Sequence, residues 1–108
     1  MTDYSEFEAR QLKLMDEVIR QFDQRTFKSL QRMLSRLFGL YEVLSFVGTD
    51  HKEQLMATLI ALEELYAVAD DEGRLGELNR EEIDFVKEQV AALNGWLIAR
   101  ANKVPGSN

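Results

Sequence analysis

The chain predicts an all-α protein, a small bundle of three or four antiparallel helices. Apolar residues recur every three or four positions from about Asp3 to Asn102, the one proline stands at 105, and no segment reads as a strand. With 108 residues, 45% of them hydrophobic, the chain suits one domain with one modest core over residues 1–102. The remaining residues, 103–108, read KVPGSN, have no periodic pattern, and are expected to form a flexible tail.

The first helix is expected near Ser5, where Ser5 and Glu8 have the spacing of a capping box. Its apolar stripe is Leu12, Met15, Ile19 and Phe22, and a second stripe follows at Phe27, Leu30, Leu34, Leu37, Tyr41 and Leu44. Read as heptads, the two are one residue out of register. Two outcomes fit this slip. The chain can break around Asp23 to Thr26 and give four helices, or one helix can run from residue 5 to about 46, ~63 Å at 1.5 Å per residue. The rarity of such long helices in small proteins favours the break. The absence of Gly and Pro between residues 20 and 38 favours continuity.

The next two helices are better marked. Gly48 ends the apolar run, and Asp50 with Glu53 has capping-box spacing. Leu55, Leu59, Leu62, Tyr66 and Ala69 then form one amphipathic face, and Ile83, Val86, Val90, Leu93 and Leu97 form another. Between them lies DDEGRLGELNREE, residues 70–82. With Asp71 as its first position this resembles a calcium loop, since Gly76, Leu78 and Glu82 fall at positions 6, 8 and 12. The inner ligand positions, however, are Gly73 and Leu75, which carry no side-chain oxygen. The same residues make a better turn. Asn79 is a good N-cap with Glu82 three residues on, Leu78 and Ile83 hold the places of a hydrophobic staple, and two glycines let the chain reverse. The segment is therefore read as a turn, with no metal site and no cofactor.

Composition narrows the function. A net charge of -6 and a pI near 4.8 argue against a generic nucleic-acid binder or a ligand of anionic membranes. No cysteine is present, so thiol chemistry and disulfides are excluded. The acidic start, MTDYSEFEAR, does not resemble a secretory leader, and the longest uncharged run, Gln89 to Ala99, is far short of a membrane span. A soluble, cytoplasmic protein is expected. His51 is the single histidine and has no carboxylate at helical spacing to work with, and the pairs Glu63–Glu64, Asp70–Asp71 and Glu81–Glu82 diverge by about 100° on a helix. No catalytic residue, and no small-molecule substrate, is assigned.

Two surfaces look unfinished. Arg25, Lys28, Arg32 and Arg36 form a basic ridge suited to an acidic partner, whereas residues 63–88 hold ten acids against three bases. Apolar residues also exceed what one neighbour can cover. They include Phe38, Tyr41, Phe46 and Val47 in the run LFGLYEVLSFV, and the seam Phe85, Ala92, Trp96 and Ala99 on the last helix. These residues predict an interface. The expected function is a non-enzymatic protein–protein interaction module of adaptor, antiactivator, chaperone or inhibitor type, acting as a homodimer and on an unidentified protein. The alternative is a nucleic-acid-associated accessory subunit that uses the basic ridge.

Overall fold

The structure, a computed structural model, describes residues 5–44 and 52–103, without the side chain of Ser5. It contains four helices: α1 Ser5–Arg20, α2 Phe27–Leu44, α3 Lys52–Asp71 and α4 Arg80–Ala101. The first apolar pattern is therefore two helices. Polar side chains make the break that Gly or Pro would otherwise have marked. After Ile19 the helix tightens, with Phe22 N–H donating to the Ile19 carbonyl at 3.2 Å. Asp23 Oδ1 then accepts from Arg25 N–H at 3.0 Å, which turns the chain. Thr26 caps the new helix, its Oγ1 accepting from Ser29 N–H at 3.2 Å, while Ser29 Oγ accepts from Asp23 N–H at 2.9 Å.

Each helix packs against its neighbours in sequence, and α4 returns to α1, so the four form a closed square with α1 and α3, and α2 and α4, on its diagonals. Two long-range contacts fix the directions. At one end, the α1–α2 loop meets the α3–α4 turn in an isolated antiparallel bridge between Thr26 and Glu77. Phe27 N–H donates to the Gly76 carbonyl at 3.1 Å, and Leu78 N–H donates to the Arg25 carbonyl at 2.8 Å. At the other end, Glu8 near the start of α1 meets Arg100 near the end of α4. The helices therefore alternate up, down, up and down, and α2 and α4 run in the same direction.

The core follows most of the stripes read from the pattern, with Ala9, Met33 and Trp96 added and with Phe22, Tyr41, Tyr66, Ile83 and Val90 half-buried at its edge. Leu12, Met15 and Ile19 of α1 meet Phe27, Leu30, Leu34 and Leu37 of α2, then Leu55, Leu59 and Leu62 of α3 and Val86, Leu93 and Leu97 of α4. Burying a leucine fully contributes about 2 kcal/mol, so this set supplies the main driving force for the fold. Phe27 and Tyr66 add an edge-to-face ring contact at 6.5 Å between centroids, which ties α2 to α3. Among the described residues, no helix is long and apolar enough to cross a membrane.

Candidate functional site

The turn of residues 72–79 is built as a helix entry. Asn79 Oδ1 accepts from Glu82 N–H, and Glu82 Oε1 accepts from Asn79 N–H, both at 2.9 Å. Glu82 Oε2 takes a third bond, from Arg74 Nη2 at 3.1 Å, and Arg74 Nε reaches Glu72 at 2.7 Å. Burial pushes the Glu82 carboxyl up, but the Asn79 amide and then Arg74 outweigh it and hold the group below its ordinary range. Arg74 in turn is raised, first by Glu82 and then by Glu72. Both oxygens of the residue at position 12 are thus engaged, and a guanidinium lies beside them. Gly73, at φ +71°, supplies the left-handed residue that reverses the chain. Among the described residues, no group of three His, Cys, Asp or Glu side chains could hold a metal ion.

The expected interface residues are not all placed alike. Trp96 is 8% exposed and belongs to the core of its own chain, so it does not wait in water for a partner. Phe38 and Tyr41 are half-buried and also pack on that core. Phe85 is 36% exposed, and Ala92 and Ala99 lie at the surface. Phe46, Val47, His51 and the Asp50 cap fall outside the described residues, as do residues 104–108 of the tail.

The structure gathers Ala92, Gly95, Trp96 and Ala99 of α4 with Gln54 and Thr58 of α3 around a mostly apolar groove of about 380 Å³, which Arg100 and Lys103 also line. Thr58 Oγ1 donates to the Gln54 carbonyl one turn back, at 3.0 Å. Gly95 was not among the residues expected here. Its signal was the spacing Ala92–Gly95–Ala99, three small residues on one helix face. A glycine in mid-helix costs roughly 0.5–1 kcal/mol relative to alanine. Among the described residues nothing lies within 4 Å of where a Cβ at residue 95 would sit, so their packing does not require a glycine there.

The basic ridge divides. Arg25 turns back on Asp23, with Nε to Oδ1 at 3.0 Å and Nη2 to Oδ2 at 3.2 Å, and this bond, followed by the Arg25 amide, lowers the Asp23 carboxyl. Lys28, Arg32 and Arg36 are exposed and make no ion pair among the described residues. Arg32 and Arg36 also overhang a shallow groove between α1 and α2, floored by Val18, Phe22 and Met33. No family model matches this chain, and neither a curated protein nor a solved structure shows significant similarity to it.

Proposed function

We propose that the chain is a protein–protein interaction module without catalysis of its own, of adaptor, antiactivator, chaperone or inhibitor type, which works as a dimer or larger assembly of helical bundles. The observation that supports this reading is the α3–α4 groove. Its small residues, Ala92, Gly95 and Ala99, let the backbone of another helix approach closely, and Gly95 carries a cost in helix stability that no contact among the described residues offsets. Such a groove can take a helix of another chain wherever the facing residues let the two backbones approach.

The test is to fill the groove. Ala92→Leu with Ala99→Leu adds bulk where both alanines are exposed, so the melting temperature should change little. Capture from the native host, or from a solution of the chain alone, should then lose whatever the unaltered chain retains. Equal retention by both would sink the reading. A second reading, an accessory subunit on nucleic acid, draws on Lys28, Arg32 and Arg36, which make no ion pair among the described residues. It requires oligonucleotide binding that falls steeply with salt as counterions are released.

A further inference from the structure

We propose that the partner seated on the exposed face of α4 is α2 of a second copy of this chain, the two helices lying parallel with Gly39 against Gly95. The inference rests on the protein-binding reading above and names the occupant of that surface.

The argument is charge complementarity in a fixed register. The outward face of α2 carries Lys28, Arg32 and Arg36, all exposed and without an acidic partner among the described residues, in a chain whose net charge is -6. The outward face of α4 carries Asp84 and Glu88, also exposed and without an ion pair among the described residues, while Lys87 lies about 100° around the helix from Glu88. Setting Gly39 opposite Gly95 is an offset of 95 - 39 = 56 residues. The same offset sets Lys28 opposite Asp84 and Arg32 opposite Glu88, and it sets Ser35 and Arg36 opposite Ala91 and Ala92. Opposite charges therefore meet at Lys28–Asp84 and Arg32–Glu88, small residues meet at Ser35–Ala91 and Gly39–Gly95, and Arg36 lies level with Ala92, without an acid opposite it in this register.

The glycines fit the same register. Gly39, like Gly95, is exposed in mid-helix with nothing within 4 Å of where a Cβ would sit. Within one chain these helices stand on a diagonal of the bundle and cannot pair side by side. Between copies they can, because both start at the end where Thr26 meets Glu77 and so run in the same direction. Since the two faces lie at opposite corners, one contact leaves an α2 face free on one copy and an α4 face free on the other. Assembly then runs head to tail, closing as a ring or growing as a chain, and does not stop at a two-fold pair.

Charge exchange tests the register. Lys28→Glu with Arg32→Glu, and separately Asp84→Lys with Glu88→Arg, should each weaken self-association about tenfold or more, because like charges then face each other. All four positions are exposed, so circular dichroism should show unchanged helix content. Mixing the two variants places opposite charges together at every contact, and light scattering should show association restored. The second measurement uses the absence of cysteine from the chain. Mild oxidation of a mixture of Gly39→Cys and Gly95→Cys chains should give a mixed disulfide, which needs Cα atoms within about 7 Å. Three results would overturn the proposal: an unaltered chain that stays at its 12.5 kDa monomer mass, a mixture of charge variants that stays dissociated, or Gly39→Cys chains that couple mainly to themselves. The last two leave the protein-binding reading standing with a different partner or register.

Discussion

Arg100 grips Glu8 across 92 residues of sequence, with Nε to Oε2 and Nη2 to Oε1 both at 2.7 Å and the Glu8 side chain 5% exposed. This two-bond fork joins the first turns of α1 to the last turns of α4 and closes the square. A buried pair is expensive to desolvate, so its loss matters less than its halving. Arg100→Met should cost about 3–5 kcal/mol, because Glu8 is then left buried without its guanidinium. Glu8→Leu with Arg100→Met should cost far less than the two single changes together. Urea denaturation of the four species in a mutant cycle checks both statements.

Acid should loosen the α3–α4 turn through Glu82. Its carboxyl lies below the ordinary 4.5 in the folded chain. A lowered folded value means that the charged form contributes stability above the unfolded value, and that this contribution disappears as pH falls through the folded one. Melting temperature should therefore drop on the acid side of pH 4.5, and Glu82→Gln should flatten that limb. Asn79→Ala should cost ~1 kcal/mol at neutral pH, the usual worth of a good cap.

The turn also makes opposite predictions for its two glycines. Gly73 has φ +71°, so Gly73→Ala should destabilise by about 1 kcal/mol. Gly76 is outside the left-handed region and has nothing within 4 Å of where a Cβ would sit. Gly76→Ala should be neutral, or should stabilise by up to about 0.5 kcal/mol through the unfolded chain. Millimolar calcium should leave the melting temperature of the unaltered chain where it is. A rise of several degrees would mean that Asp71 and Glu82 hold a metal after all.

Much of this architecture was legible because helix periodicity is a local property. The stripes through Leu30, Leu34, Leu59, Leu62, Val86 and Leu93 are buried as their spacing indicates, and the cap at Asn79 forms with the partner its spacing names. The break after Arg20 was harder to read. Its agents are Asp23, Thr26 and Ser29, whose side chains compete for backbone N–H groups, and such competition leaves a fainter trace than a proline. The place of Trp96 could not be read from α4 alone. Its seam borders the face of Leu93 and Leu97, and only the packing of the other helices decides that the indole is covered while Ala92 and Ala99 are not. The Glu8–Arg100 fork is likewise a product of closure, invisible until both chain ends are placed.

Gly39 and Gly95 separate stability from association. Both sit inside exposed helix faces with open space where a methyl group would go, so Gly39→Ala and Gly95→Ala should each stabilise the isolated bundle by roughly 0.5–1 kcal/mol. For a domain of this size that corresponds to a rise of about 4–8 °C in melting temperature per kcal/mol. If the two faces meet in the assembly, each added methyl group also holds the facing backbones apart. The double variant should then melt higher in dilute solution yet associate more weakly in sedimentation velocity. Larger residues at the same places, Gly39→Leu or Gly95→Leu, should weaken association further. A double variant that melts higher and associates as well as the unaltered chain would show that neither glycine serves a helix–helix contact.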